Sequence, residues 1–211
     1  DLLLGLHPKA FDAVTNATPN QIRDVFGKRC RIIGRRFELA HVYSGRDMIE
    51  VATFRAPPRQ PATTAAGMIT RDNVWGTIKQ DFSRRDFTIN SLYYQPRKGQ
   101  ILDFCNAMED IEAEQIKFLG DPLQRFEEDP VRMLRVLRFA AKLEFQIDSA
   151  ITDVLNASLA KLLLDVSPHR LYDESQKMFT GGHLTPLLKL MIQYHVWPVM
   201  FADPAPVMTP F

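Results

Sequence analysis

The stretch that decides the fold is "RCRIIGRRFELAHVYSGRDMIEVATFR", residues 29–55. Apolar and polar residues alternate along both of its parts, "RCRIIGRRFELAHVYS" and "DMIEVATFR", as they do in β-strands with one buried face. Between these parts, "GRD" is typical of a turn. The stretch therefore predicts strands that pair across residues 44–47, and with them a sheet in the first half of the chain.

A second hairpin is predicted further along the same half. The runs "TINSLYYQP", 88–96, and "QILDF", 100–104, are typical of strands, with "RKG" at the tip of the hairpin. The stretch 55–67 contains prolines and small residues without periodicity, which predicts a mobile loop.

Two helices are predicted between these strands. "TPNQIRDVFG" has Thr18 as a cap, Pro19 at the first helical position and Gly27 after the end. "RDNVWGTIKQDF", 71–82, predicts the second helix.

From about residue 106 onward, helical periodicity dominates. It runs through "DPVRMLRVLRFAAKLEF", "SAITDVLNASLAKLLLD", "SPHRLYDESQKMFTGG" and "LTPLLKLMIQYHVW". The tail 198–211 is too rich in proline to continue a helix. The chain is thus expected to be an α/β head followed by an all-helical segment, with the boundary between 105 and 120.

Composition limits the classes of function. The 211 residues are 45% hydrophobic and 24% charged, with a net charge of +1, so no global field attracts nucleic acid. The chain shows no apolar run of membrane-spanning length and no signal peptide. Its two cysteines, Cys30 and Cys105, have no metal-ligand spacing. These features predict a cytoplasmic protein without a membrane partner.

Two carboxylates are candidates for a cation site. Asp12 lies in "LHPKAFDAVTN" on a short predicted strand, and Ala10 shares its strand face. Glu50 lies between Ile49 and Val51, on the face opposite theirs. Glu50 is either a solvated residue of the outer sheet face or a partner of Asp12 on a neighbouring strand. In the second case the two carboxylates would repel each other unless they held a cation.

The run "RRDFTINS", 84–91, is dense in polar groups. Asn90 is expected inside a strand, where asparagine is depleted unless it makes a specific hydrogen bond. Arg84 and Arg85 beside Asp86 are either a charged loop edge or a site that holds phosphates while Asp86 accepts from a ribose hydroxyl.

The helix within 125–142 carries the most information. Asp129 followed by Pro130 predicts a helix start. One face is expected to be apolar and to consist of Met133, Leu134, Val136, Leu137, Ala140 and Ala141. The opposite face is basic and consists of Arg132, Arg135, Arg138 and Lys142. A basic helix face is usually solvated.

A sharper hypothesis concerns Asp129 and Arg132, which are neighbours on the first turn. A carboxylate accepts from an exocyclic amino group, and a guanidinium donates to a ring nitrogen. Adenine and cytosine present that pattern, whereas guanine and uracil present the reverse. The pair would therefore select ATP or CTP, although capping of the helix competes for Asp129.

Other motifs are absent from the sequence. It contains no G-x-x-x-x-G-K-[ST] and no G-x-G-x-x-G. Its histidines are dispersed, which favours surface or core roles; they are His7, His41, His169, His183 and His195.

Several runs together resemble the class II nucleotidyltransferases, which include bacterial poly(A) polymerases and the CCA-adding enzymes of tRNA. The resemblance covers nearly all of residues 1–200 and rests on "DLLLGLHPKAFDAVTNATPNQIRDVF", "IIGRRFELAHV", "IEVATFR", "RRDFTINSLYY" and "RFEEDPVRMLRVLRFAAKL". Between the two branches, "IIGRRFELAHV" is similar to the segment that marks the poly(A) polymerases.

The family implies an α+β head on a mainly antiparallel or mixed five-stranded sheet, here 1–105. A helical neck and the start of a body would follow in 106–211. It implies a D-x-D motif and a third acid that hold two Mg²⁺ or Mn²⁺ ions. Asp12 matches the second aspartate, Glu50 matches the third acid, and Ala10 stands where the first aspartate is expected.

The family also implies a nucleotide site. Arg85 and Asp86 match the motif that contacts ribose and phosphates, with Asn90 beside it. Asp129 and Arg132 match the pair that recognises the base, and Arg135 and Arg138 follow on the same helix face.

Three departures from the family pattern are expected to matter. Ala10 removes a metal ligand, so the chain should be inactive or nearly so. The chain begins after the position of a glycine-rich motif that helps to hold the triphosphate, and it ends early in the helical body. The 55–67 loop is also shorter than in relatives.

Three functions follow from the resemblance. The first is template-independent polyadenylation of RNA 3′ ends with ATP, with RNA-decay proteins as partners. The second is CCA addition to tRNA, and the third is RNA binding by a non-catalytic pseudoenzyme.

Overall fold

The computed structural model describes residues 2–6, 8, 11–34, 38–56 and 74–201. Residue contacts divide the chain into two compact units, Asp1–Arg84 and Arg85–Phe211, and each is described by itself. The predicted division into a head, 1–105, and a helical segment, 106–211, stays a prediction. The predicted loop 55–67 lies almost wholly outside the described residues.

The first unit is built on a mixed sheet of four strands in its described part. The strands are β1 (Asp12–Thr15), β2 (Cys30–Ile33), β3 (Leu39–Ser44) and β4 (Asp47–Thr53). Their spatial order is β1-β4-β3-β2; β1 is parallel to β4, and the other pairs are antiparallel. The long alternating run before the turn thus forms two strands rather than one, since the chain reverses after Ile33, where Gly34 has a φ of +85°.

One face of this sheet packs on the helix α1 (Pro19–Phe26). The predicted helix signals are confirmed: the Thr18 side chain accepts from the Gln21 N–H in a capping box, and Gly27 follows the end with a φ of +55°. Ile22 of α1 is buried with Cys30, Ala40 and Val42. Side chains of alternate parity, including those of His41 and Glu50, therefore belong to the other face.

The helix predicted over 71–82 is shorter than expected. Helix α2 spans Ile78–Ser83, with Thr77 as its cap, and residues 71–73 lie outside the described part. Trp75 instead forms a β-bridge with Arg55. Gly76 approaches the backbone so closely that a Cβ would lie 2.7 Å from the Ala56 nitrogen, which explains the glycine.

The second unit begins with a short 3₁₀ turn and a hairpin. The predicted hairpin forms from β5 (Tyr93–Gln95) and β6 (Gln100–Leu102). In the described residues it is a separate two-stranded sheet, so the single five-stranded sheet that the family implies is not seen. Asn90 was predicted within a strand, but it ends the 3₁₀ helix Thr88–Asn90, because the Ser91 N–H donates back to the Thr88 carbonyl.

The rest of the second unit is almost entirely helical, as predicted. Its helices are α3 (Ala107–Glu112), α4 (Pro122–Glu128), α5 (Val131–Leu143), α6 (Ser149–Thr152), α7 (Ala157–Ala160), α8 (Pro168–Phe179), α9 (Leu184–Gln193) and α10 (Trp197–Met200). Two short parallel strands, β7 (Gln115–Ile116) and β8 (Gln146–Ile147), pair with each other.

The packing of α5 agrees with its sequence pattern. The whole predicted apolar face is buried, and Met133, Leu134, Val136 and Leu137 have no exposed area. The start of the tail that was predicted to be non-helical, 198–211, belongs to the short helix α10, since Pro198 stands in its first turn, where proline is tolerated; residues 202–211 lie outside the described part. No helix of the described residues is long and apolar enough to cross a membrane. With a sheet in the first unit and mainly helices in the second, the fold belongs to the predicted α+β class.

Candidate active site

Asp12 and Glu50 lie side by side in the sheet of the first unit. Strands β1 and β4 run parallel, with Asp12 directly opposite Glu50. Directly opposed residues project from the same sheet face. The sequence could not establish that these strands are neighbours. The structure brings the two carboxylates together on the face opposite α1.

A third side chain of the same row was not recognised in the sequence. His41 of β3 stands directly opposite Glu50, and Arg31 of β2 stands opposite His41. The side chain of His41 is 16% exposed, and its Nε2 lies 3.7 Å from Glu50 Oε2. The sequence could have predicted this pair. If the turn places Ser44 opposite Asp47, the register of the hairpin places His41 opposite Glu50.

The donor chemistry of this row fits Mg²⁺ in part. Mg²⁺ is held in proteins by one or two carboxylates, with waters and substrate phosphates completing its shell. Asp12 and Glu50 supply two such groups. Position 10 lies outside the described residues, and alanine offers no ligand atom there. In the described residues, no three or more His, Cys, Asp or Glu side chains are placed to hold a metal ion together, and the metal role of Asp12 and Glu50 stays a prediction.

In the second unit, the Asp86 carboxylate accepts three hydrogen bonds. Its Oδ1 accepts from the Phe87 N–H at 2.8 Å and from Asn90 Nδ2 at 3.4 Å. Its Oδ2 accepts from Arg135 Nε at 2.7 Å. Asp86 thereby joins the 3₁₀ turn to α5. The bond from Asn90 is the specific interaction that the asparagine was expected to make.

Arg85 also binds this turn. Its Nε donates to the Tyr93 hydroxyl and its Nη1 to the Asn90 carbonyl, both at 3.1 Å. The guanidinium also lies 4.9 Å from the centre of the Tyr93 ring. Arg85 and Asp86 thus come together with Asn90, as the motif suggested, and their contact with a nucleotide stays a prediction.

Asp129 uses its two oxygens separately. Oδ1 accepts from the Val131 N–H at 3.2 Å, which is the predicted cap, although Pro130 occupies the formal cap position of α5. Oδ2 accepts from Arg170 of α8 at 2.8 Å. Capping therefore uses only Oδ1. The second oxygen accepts from Arg170, a residue that the sequence analysis did not identify.

Arg132 is braced by α4. Its Nη1 donates to the Arg125 carbonyl at 2.8 Å and to Glu128 Oε2 at 2.9 Å. Burial alone would raise the pKa of Glu128, but hydrogen bonds from Arg132 and Arg125 outweigh it and lower that pKa. A guanidinium has five N–H donors, so these bonds still leave Arg132 able to donate to a base edge.

The basic face of α5 is not a solvated face, and that interpretation was wrong. Arg135 pairs with Asp86. Arg138 Nε donates at 2.6 Å to Glu174 of α8, whose side chain is only 4% exposed. These partners lie 49 and 36 residues away in sequence. No local pattern could have revealed Glu174 or Arg170.

Two family profiles match separate parts of the chain. A profile described as Poly A polymerase head domain matches residues 1–117. A second, described as Probable RNA and SrmB- binding site of polymerase A, matches residues 144–208.

Curated relatives agree with these profiles. The chain is 45% identical over 207 residues to Poly(A) polymerase I of Haemophilus influenzae, covering 95% of this chain and 46% of the relative. It is 46% identical over 208 residues to Poly(A) polymerase I of Escherichia coli O157:H7, covering 95% and 44%. It is 33% identical over 183 residues to the CCA-adding enzyme of Lactobacillus helveticus, covering 87% and 44%. The chain thus spans less than half the length of these relatives.

Solved structures show the same architecture. The CCA-adding enzyme of Bacillus stearothermophilus in complex with CTP matches with a TM-score of 0.76 and 26% identity, over 93% of this chain and 46% of that chain. A tRNA nucleotidyltransferase complexed with a primer tRNA and an incoming ATP analog also gives a TM-score of 0.76 at 26% identity, over 95% and 56%.

Proposed function

Because the chain belongs to the poly(A) polymerase head-domain family, we propose that it is part of a template-independent polymerase that adds AMP from ATP to RNA 3′ ends. With this sequence the enzyme is inactive, because Ala10 stands where the site needs an acid. The observation that carries the proposal is the register of β1 and β4, which places Asp12 opposite Glu50.

The reaction is the attack of an RNA 3′-hydroxyl on the α-phosphate of ATP, with release of pyrophosphate. Divalent cations, when bound, would lower the pKa of the attacking hydroxyl and stabilise the leaving group. Asp12 and Glu50 would hold them. This chain's own residues supply position and charge, which is the main task of a protein in phosphoryl transfer.

The base and the sugar are assigned to the second unit. Asp129 Oδ2 would accept from the exocyclic amino group of adenine, and Arg132 would donate to its ring nitrogen. The bond from Arg170 to Asp129 Oδ2 orients that carboxylate. Asp86, with Arg85 and Asn90, would contact the ribose, and Arg135 and Arg138 support this surface through their acid partners.

The poly(A) reading is preferred over CCA addition. The two Poly(A) polymerase I relatives are 45% and 46% identical to this chain, and the CCA-adding relative is 33% identical. We assign RNA contacts, and contacts with RNA-decay proteins, to the helical region matched at 144–208. A cytoplasmic location completes the proposal, in agreement with two free cysteine thiols.

Primer extension tests the proposal. Ala10→Asp is introduced into a protein extended to the length of its relatives, and labelled RNA is incubated with each nucleotide in turn, with and without EDTA. A ladder of additions with ATP alone, abolished by EDTA, is the expected result. Two additions of C followed by a stop at A, on tRNA lacking its terminus, would instead establish CCA addition. No extension with any nucleotide would leave RNA binding without catalysis.

A further inference from the structure

We propose that His41 is a positioning residue, which holds the Glu50 carboxylate in the orientation that receives a divalent cation. The inference rests on the proposed function, because it takes Glu50 as a cation ligand. Its basis is the row of opposed side chains across β3, β4 and β1: His41, Glu50 and Asp12.

The imidazole of His41 is held more firmly than its partner. Its side chain is 16% exposed, whereas that of Glu50 is 41% exposed. Residues on either side of His41, Ala40 and Val42, are anchored in the core against α1. The histidine is therefore the fixed member of the pair, and the glutamate is the member that can be oriented.

The nitrogen that faces Glu50 is buried and unsatisfied. Within the described residues, His41 Nε2 has no hydrogen-bond partner, although Glu50 Oε2 is only 3.7 Å away. Buried polar atoms without a partner are uncommon and call for an explanation. A hydrogen bond needs a separation of about 2.7–3.2 Å, so a movement of less than about 1 Å by the more exposed carboxylate would complete one.

The chemistry sets the direction of that bond. A carboxylate only accepts, so Nε2 must carry the proton, and Nδ1 need not. Once bonded on one oxygen by Nε2–H, Glu50 keeps its other oxygen for a cation. Partners of this kind orient ligating carboxylates, and their loss typically weakens metal binding by about 10–100-fold.

The matched variants separate this role from packing. His41→Gln keeps an N–H donor at the reach of Nε2, whereas His41→Asn places its donor at the shorter reach of Nδ1. His41→Leu keeps bulk and removes the donor. His183→Leu, on the second unit, controls for loss of a histidine elsewhere. Unfolding midpoints show that each variant is folded.

Two measurements test the proposal. Long-range ¹H–¹⁵N correlation spectra of the metal-free chain at pH 8 report which imidazole nitrogen carries the proton. We expect protonated Nε2 in His41, and a changed His41 signal in Glu50→Ala. An unprotonated Nε2 would overturn the proposal, because that nitrogen could not donate to the carboxylate.

The second measurement is the affinity for Mn²⁺, followed by the electron paramagnetic resonance signal of the free ion, with Ala10→Asp as the background. We expect His41→Leu and His41→Asn to bind about tenfold or more weakly, and His41→Gln and His183→Leu to bind within about threefold of the parent. Equal affinity in all variants would overturn the role of His41 alone. Absence of Mn²⁺ binding even in the Ala10→Asp parent would overturn the cation site and, with it, the proposed function.

Discussion

At the scale of single residues, the base-recognition hypothesis depends on whether bonds already made exclude new ones. Asp129 uses Oδ1 for the cap and Oδ2 for Arg170, while Arg132 donates from Nη1 to α4. A carboxylate oxygen can accept more than one bond. The existing partners therefore fix the orientation of the pair and leave room for a base.

We predict that a version extended to the length of its relatives, and carrying Ala10, binds ATP more tightly than GTP or UTP. Each correct hydrogen bond to a charged group contributes about 1.5–3 kcal/mol, so calorimetric titration should resolve the difference. Arg132→Met should reduce the preference, and Arg23→Met, on α1, serves as its control. Equal affinities for ATP and GTP would contradict recognition of the base edge.

Asp86 has a structural role that the sequence did not predict, beside the proposed role in binding ribose. It accepts from Phe87, Asn90 and Arg135. We predict that Asp86→Ala lowers the free energy of unfolding by about 3 kcal/mol, because it leaves Arg135 without its acid partner. Chemical denaturation checks this value.

The ribose role has a separate readout. Asp86→Ala should also narrow the gap in affinity between ATP and its 2′-deoxy analogue, with Asp86→Asn as the milder comparison, since an amide oxygen still accepts. If the ratio of the two affinities stays the same while stability falls, Asp86 is structural only.

At the scale of elements, Asp103 stabilises the start of helix α3, because its carboxylate accepts hydrogen bonds from three backbone N–H groups. Asp103 accepts from Cys105 and Ala107 at 3.0 Å and from Met108 at 2.9 Å. Burial raises the pKa of Asp103, but the three N–H groups outweigh it and lower that pKa below its ordinary value of 3.8.

This predicts a loss of stability in acid. The lowered pKa means that the stabilisation is complete above the unfolded value of 3.8 and disappears as the pH falls through the folded value. The free energy of unfolding should therefore decline below about pH 5, and Asp103→Asn should flatten that decline. Asp121→Asn, at a cap with one backbone N–H bond from Gln124 in the described residues, is the matched control. Identical pH profiles for the two variants would contradict the account.

Helices α5 and α8 are joined by a buried ion pair. Arg138 donates to Glu174 at 2.6 Å, and their side chains are 17% and 4% exposed. We predict that Glu174→Leu alone lowers the free energy of unfolding by about 3–5 kcal/mol, because it leaves a buried guanidinium unpaired.

The double variant Arg138→Met/Glu174→Leu should recover most of that loss, since apolar residues can replace a buried pair at little cost. Urea denaturation of the two single variants and the double variant gives the coupling. If the double variant loses as much free energy of unfolding as the two single variants together, the interaction between Arg138 and Glu174 contributes nothing to stability.

The elements also show where sequence reasoning succeeds. The Thr18 cap of α1 and the apolar face of α5 depend on residues close together in the sequence, so local pattern predicts them. The hairpin β3–β4 has its register set by its turn. Asn90 was misplaced because a strand-like run can also form a 3₁₀ turn, here one in which Asn90 donates to Asp86, four residues earlier.

At the scale of the whole molecule, the fold class was predictable and the partners of the site were not. The chain carries the alternation of a sheet in its first half and helical periodicity in its second. Adjacency of Asp12 and Glu50, and the pairing of Arg138 with Glu174, depend on tertiary contacts that no spacing encodes. The position of His41 is partly predictable, because the turn of the β3–β4 hairpin sets the register that places His41 opposite Glu50.

The central claim is that Asp12 and Glu50 form a catalytic centre from which Ala10 has removed one acid. The most direct test measures the rate of ATP-dependent primer extension in three proteins extended to the length of the relatives: Ala10 retained, Ala10→Asp, and Ala10→Asp with Glu50→Gln. We predict that Ala10→Asp raises the rate by about a thousandfold or more, which corresponds to several kcal/mol. The second change should return the rate to that of the Ala10 protein. If Ala10→Asp restores no activity, or if Glu50→Gln leaves the restored activity intact, the centre assigned to these carboxylates is wrong.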